Sequence, residues 1–378
     1  GIGSSIGIYP NVKRAEEVGL YYEVRTKVLA DKLDDAMNLV REILLTSRIS
    51  DEKRLQEILS QTKSRMQAGL SSAGHTVSYT RALSYFSRAA YAQDATSGIA
   101  CYRVAADYEE HFAEKKGELI RILTGLVKKI FTPERMTVSI TCEEQHLAAV
   151  KEAVAGLRGV LWQKEKCRKA VAENASLQPF SKMEPEKKNE GFMDASQVQY
   201  VARAGNFVAH GFSYHGALKI LKVIMGYDYL WINVRVKGGA YGCMNGYMRN
   251  GDTYFVSYRD PNLAATNEVY EGIPAYLENF DADESEMTGY IVGTISDIDT
   301  PLNPSAKGAR SMTAYLQELT YEDIQKERDQ VLGANAQDIR NLKEPIAAVL
   351  SDGNLCVIGN EEALLAEKEM FMKLENLC

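Results

Sequence analysis

Along this chain, strand-like alternation of apolar side chains gives way repeatedly to stripes of helical period. From Val18 to Leu29 the alternation is loose and includes Tyr21, Tyr22, Val24 and Val28, which predicts a strand. From Asp31 to Leu45 the period becomes helical, with Leu33, Ala36, Met37, Val40, Ile43 and Leu44 on one face. Asp51 to Met66 repeats that pattern through Leu55, Ile58, Leu59 and Met66, with Ser50 as the expected cap. A third helix is predicted from Ser78 to Ala92. Another stripe runs through Leu119, Ile120, Leu123, Leu126, Val127 and Ile130 and is ended by Thr132-Pro133. Met136 to Thr141 then reads as a short strand, followed by a helix through Leu147, Val150, Val154 and Leu157.

The segment from Gln163 to Gly191 is rich in Lys and Glu and contains Pro179 and Pro185, as a linker would. After it the same grammar restarts. Gln199 to Val208 is strand-like, and Gly216 to Met225 is helical through Ala217, Ile220, Leu221 and Ile224. Ala240 to Tyr247 and Thr253 to Arg259 form a hairpin about the turn Arg249-Asn250-Gly251-Asp252. Val269, Tyr270, Ile273, Tyr276, Leu277 and Phe280 mark one long helix. Thr320 caps Tyr321 to Leu332, and Asn335 caps a further helix that Pro345 interrupts or bends.

The two halves echo each other. Ile140-Thr141-Cys142-Glu143-Glu144 with Leu147-Ala148 corresponds to Ile358-Gly359-Asn360-Glu361-Glu362 with Leu365-Ala366. Asp35-Ala36 through Val40 and Ile43 corresponds to Gly216-Ala217 through Leu221 and Ile224. The expected architecture is α+β: two homologous domains, each a mostly antiparallel sheet packed with helices, spanning residues 1–162 and 195–378 and joined by a charged linker at 163–194.

The length of 378 residues supports two domains. Its 44 Lys plus Arg against 51 Asp plus Glu give a net charge of −7, which offers no general attraction for nucleic acid or an anionic membrane. The most apolar stretch, Leu218 to Val234, is broken by Lys219, Lys222 and Asp228, short of the roughly 20 residues a spanning helix needs. The six cysteines stand singly, which favours reduced thiols and a cytoplasmic location. The chain opens Gly1-Ile2-Gly3-Ser4-Ser5, with neither Met nor a basic-then-apolar leader, and is expected to begin at a cut.

The most informative run is Leu230-Trp231-Ile232-Asn233-Val234-Arg235-Val236-Lys237-Gly238-Gly239-Ala240-Tyr241-Gly242. It reads as a helix end passing through a glycine turn into a strand. That turn would bring Arg235 and Tyr241 together beside backbone without side-chain bulk, where an extended peptide could approach Gly238, Gly239 and Ala240. Spacing alone favours a strand tyrosine with a satisfied hydroxyl and a surface arginine. No inverted or direct two-His zinc motif occurs. His111-Phe112-Ala113-Glu114-Lys115 comes near one, but Lys115 stands where a second His ligand is required, and a protonated ammonium cannot ligate zinc. His210 and His215 do not share a helical face, His75 serves a local bond, and the acidic run Asp281, Asp283, Glu284, Glu286 lacks EF-hand spacing.

This run resembles the C-terminal signature of the insulinase or pitrilysin-type zinc metallopeptidases, and within them the presequence-protease subgroup. Ser71-Ser72-Ala73-Gly74-His75, Tyr79-Thr80-Arg81-Ala82 and Gly98-Ile99-Ala100-Cys101-Tyr102 are similar to that subgroup's third domain. Ser257-Tyr258-Arg259-Asp260-Pro261, Asp297 to Pro304 and Lys307-Gly308 are similar to its fourth. The resemblance implies the C-terminal half of a longer clamshell endopeptidase that degrades unstructured peptides. In it Arg235 and Tyr241 would act on the substrate, and Gly238, Gly239 and Ala240 would lie against it. Zinc and the general base would belong to an N-terminal half of the same polypeptide, with no metal expected in this chain. The rival expectation is a non-catalytic peptide-binding subunit or scaffold of the same superfamily.

Overall fold

A computed structural model describes residues 1–166, 183 and 186–378. In chain order, strands β1 (Ile2–Pro10) and β2 (Val18–Thr26) precede helices α1 (Leu33–Thr46), α2 (Glu52–Ser72), α3 (Gly74–Leu83), α4 (Arg88–Ser97), α5 (Ile99–Glu110), α6 (Phe112–Ile130) and α7 (Glu144–Lys166). Then come β3 (Glu190–Asp194), β4 (Tyr200–Asn206), α8 (Ala217–Tyr227), a π-helix (Trp231–Lys237), β5 (Gly242–Tyr247) and β6 (Asp252–Tyr258). The chain continues through α9 (Ala264–Glu271), α10 (Ile273–Glu278), α11 (Glu284–Ile298), α12 (Pro304–Leu316), α13 (Tyr321–Leu332), α14 (Ala336–Arg340) and α15 (Lys343–Ser351). It ends with β7 (Asn354–Asn360), α16 (Glu361–Ala366) and β8 (Lys373–Asn376).

A six-stranded sheet in the order β5-β6-β4-β7-β3-β8 is the centre of the fold. Its first four strands are antiparallel, whereas β3 runs parallel to both β7 and β8. Strands β4 and β7 are buried on both faces, which is why they read as nearly continuous apolar runs. Period two sorts their side chains. Val201, Leu355 and Val357 join the core built on α8 with Ile220, Leu221, Ile224, Ile346 and Val349. Tyr200, Ala204, Cys356 and Ile358 join the opposite core, with Leu70, Val77, Ala82, Tyr85, Ile99 and Tyr102.

That second core crosses the boundary expected at 162. Helices α2 to α5, from the first third of the chain, cover a sheet whose strands come from the second half. The β1–β2 hairpin, α1 and α7 share a smaller cluster around Val40, Leu157 and Leu161. The expected linker at 163–194 is overturned at its end, because Glu190–Asp194 is an interior strand of the sheet. Its three uncharged residues, Gly191, Phe192 and Met193, are too few to stand out from charged surroundings. The rest of that linker lies mostly outside the described residues.

Several local expectations need correction. The cap of α2 is Asp51, which accepts from the Arg54 amide, and not Ser50. The helix expected from Ser78 to Ala92 is two helices. Ser84 Oγ turns back to the Arg81 carbonyl, and Ser87 caps α4 while donating to Asp252 of β6 at 2.5 Å. Met136 to Thr141 is outside any strand. The long helix about Val269 to Phe280 breaks at Gly272, because Pro274 in the first turn of α10 has no amide to continue the ladder. Pro345 likewise sits in the first turn of a new helix, α15.

Candidate functional site

The site grows from the end of α8. The Asp228 amide closes that helix on the Ile224 carbonyl, and Asp228's carboxylate accepts from Tyr276 Oη at 2.7 Å. The chain then winds as a π-helix, a rare form frequently found at functional sites. Leu230 and Val234 anchor it in the core, leaving Trp231 and Tyr241 exposed and Arg235 half-buried.

Two glycines end this helix for different reasons. A Cβ on Gly238 would sit 2.5 Å from the Val234 carbonyl oxygen, so the turn closes only without one. Gly239 has φ +82°, the left-handed conformation of a helix C-cap. The Gly239 amide donates to the Arg235 carbonyl at 2.9 Å and the Ala240 amide to that of Val234 at 3.1 Å. Asn262 Nδ2 donates to the Gly238 carbonyl at 2.6 Å. These amides and this carbonyl are therefore engaged internally, and the Ala240 methyl is buried in the core. The glycines shape the turn beside Arg235 and Tyr241.

The Tyr241 amide donates to the Arg259 carbonyl at 3.3 Å, which starts the pairing of β5 with β6. The turn brings Arg235 and Tyr241 together: the guanidinium carbon lies 5.8 Å from the Tyr241 ring centroid. The same guanidinium lies 3.9 Å from the Trp231 ring centroid. Tyr258 meets Tyr241 edge-on at 5.7 Å, and the His75 ring meets Tyr258 edge-on at 4.8 Å. Arg259 holds φ +49° at the end of β6, next to buried Asp260. Asp260 accepts from the Asn262 amide at 2.9 Å and from Thr266 Oγ1 at 2.7 Å, which fixes the loop behind Tyr241. Burial pushes the Cys243 thiol up to about 11 against the opposing field of Arg235, so this sulfur is no thiolate nucleophile near neutral pH.

The glycine turn between Arg235 and Tyr241 was readable from the sequence. The contributions of Trp231, Tyr258 and His75 were not, although Trp231 stands four residues before Arg235 in the same run. The remaining histidines are occupied locally. His111 Nδ1 lies 3.1 Å from the Asp107 carbonyl, and Lys115 is bonded to the Asp107 carboxylate. His210 pairs with Asp352 at 2.7 Å, and His215 Nδ1 accepts from the Ala217 amide. In the acidic run, Asp283 and Glu286 form a capping box for α11. Among the described residues, no group of three or more His, Cys, Asp or Glu side chains is placed to hold a metal, so the residues present do not fit a zinc site. Among them too, no helix is long and apolar enough to cross a membrane.

Two family profiles match this chain. The one described as the PreP C-terminal domain covers residues 189–361, and the one for the associated region of M16 peptidases of subgroup C covers residues 1–107. The chain belongs to the M16 peptidase family. It matches the C-terminal part of presequence-protease-type M16 members. It is 34% identical to Protein HypA of Clostridium perfringens, over 100% of this chain and 38% of that protein. It is 27% identical to presequence protease 1, chloroplastic/mitochondrial, of Arabidopsis thaliana, over 94% of this chain and 33% of that protein. The chain thus spans about a third of the length of the curated relatives it matches. Among solved structures, M16 similarity in fold extends to pitrilysin, with a TM-score of 0.55 at 12% identity over 100% of this chain and 38% of that one. A protease from Helicobacter pylori gives a TM-score of 0.57 at 12% identity over 95% of this chain and 82% of that one.

Proposed function

We infer that this chain is the C-terminal half of a zinc-dependent M16 endopeptidase that degrades unstructured peptides. Tyr241 and Arg235 act on the substrate, and the zinc and general base belong to an N-terminal half. The observation that carries this reading is the convergence of Arg235 and Tyr241 beside an exposed turn, with no carboxylate paired to Arg235 among the described residues. A phenol hydroxyl donating to the scissile carbonyl oxygen binds more tightly as that oxygen gains negative charge, which lowers the barrier. The Arg235 guanidinium adds positive field and a planar pair of donors for substrate carbonyl groups. The scattered, unpaired cysteines among the described residues support a reducing compartment, the cytoplasm.

The test joins this chain to its N-terminal half and measures hydrolysis of an unstructured peptide. Tyr241→Phe should remove about 3–4 kcal/mol of transition-state stabilisation, roughly a 10²–10³-fold fall in turnover, with the fold unchanged. Near-normal turnover by that variant defeats the assignment. By itself the chain should cleave nothing and retain no zinc on gel filtration; stoichiometric zinc in it also defeats the reading. Peptide binding without cleavage by the joined protein would identify a binding subunit instead.

A further inference from the structure

The geometry points to Trp231 as a positioning residue that holds the Arg235 guanidinium ready for a peptide carbonyl or carboxylate. This rests on the reading of Arg235 as a substrate ligand. The guanidinium carbon lies 3.9 Å from the indole centroid, a stacking contact, whereas Arg249 lies 5.2 Å from the Tyr214 ring and Arg259 5.5 Å from the Tyr258 ring. Arg203 and Arg249, by contrast, are paired to Glu271 and Glu327. Among the described residues no carboxylate is paired with Arg235, and its guanidinium carbon lies 3.9 Å from the indole centroid and 5.8 Å from that of the Tyr241 ring.

Stacking occupies a face of the guanidinium and leaves its N–H donors free in the plane, where a bidentate acceptor would meet them. The scaffold beneath is stiff. Leu230 and Val234 are fully buried, Asn233 Nδ2 donates to the Tyr229 carbonyl at 2.8 Å, and Lys237 Nζ donates to Asn233 Oδ1 at 3.2 Å. A flexible side chain that must carry charge to a substrate is thereby pre-ordered at no electrostatic cost to its charge, whereas a carboxylate partner would compete with the ligand.

The experiment is a double-mutant cycle on Trp231 and Arg235, read in two ways. In the protein joined to its N-terminal half, Trp231→Leu should lower kcat/KM for an unstructured peptide about tenfold, and Trp231→Phe less. In an Arg235→Ala background Trp231→Leu should have no further effect. A loss that persists undiminished without Arg235, or no loss at all, overturns the proposal. The second readout is independent of cleavage. Trp231 and Trp162 are the two tryptophans of the chain. With Trp162→Phe, titration of a synthetic unstructured peptide with blocked ends should change Trp231 emission, and Arg235→Ala should abolish the change. Binding of the peptide that leaves Trp231 emission unaltered, or no binding, also overturns it. If the joined protein never cleaves a peptide, the peptidase reading fails while this titration still decides the role of Trp231.

Discussion

Arg81 on α3 grips Glu190 on β3 with two parallel bonds, Nε to Oε2 at 2.7 Å and Nη2 to Oε1 at 2.9 Å. The same guanidinium donates to Asp94 of α4 at 2.6 Å. All three groups are largely withdrawn from water, and the two carboxylates together hold the Arg81 proton more firmly than usual despite burial. The network ties helices from the start of the chain to a strand that follows the segment outside the described residues.

Removing the cation leaves two buried carboxylates without a partner. Arg81→Met should destabilise the chain by about 3–5 kcal/mol in urea unfolding. Adding Asp94→Asn and Glu190→Gln to that variant should recover most of the loss. A single variant as stable as the parent would mean that the network contributes nothing to docking.

The two turn glycines should fail differently. Gly239→Ala places a Cβ at φ +82° with only Pro261 nearby, at 3.6 Å, so its cost is conformational, about 1–2 kcal/mol. Gly238→Ala drives a Cβ against the Val234 carbonyl and must unwind the end of the π-helix. Trp231 fluorescence should therefore move in Gly238→Ala and stay near the parent's in Gly239→Ala.

Asp323 gives a pH signature. The Thr320 amide, its hydroxyl and Lys13 hold its carboxyl below the ordinary carboxylate value. Because the folded value is the lower one, this stabilisation is complete above the unfolded carboxylate pKa and is lost as pH falls through the folded value. Asp323→Asn should flatten that part of the acid limb in thermal melts between pH 5 and about 2. An unchanged limb would exclude this box as a source of acid sensitivity. Thr320→Ala should cost about 1 kcal/mol at neutral pH.

Gly74 packs against the face of the Tyr200 ring, where an added Cβ would overlap ring carbons. Tyr200 leans on Tyr258 at 5.8 Å, and Tyr258 in turn abuts Tyr241. Gly74→Ala should cost about 1–3 kcal/mol from overpacking and should lower peptide turnover beyond what its stability loss explains. Activity at the parent level in a folded variant would detach this aromatic row from the site.

Much of this was legible in the chain because it is local. The stripe of α1, the stop of α6 at Thr132-Pro133, the caps Thr320 and Asn335, and the hairpin about Asn250-Gly251 each depend on residues a few positions apart. The glycine turn beside Arg235 was legible for the same reason. Breaks at Ser84 to Ser87 and at Gly272 were harder. The apolar period continues through both, and only the bond of Ser87 to Asp252 and the missing Pro274 amide interrupt the helices.

The amino-acid order alone determined that Arg235 and Tyr241 would flank a turn, since the short span between them holds two adjacent glycines and permits little else. Only the tertiary structure decided that α2 to α5 would roof the second half's sheet, that Glu190–Asp194 would be one of its strands, and that Trp231, Tyr258 and His75 would gather about Tyr241. Such partners are set by burial of both sheet faces and by contacts between residues far apart in the chain, which no local period encodes.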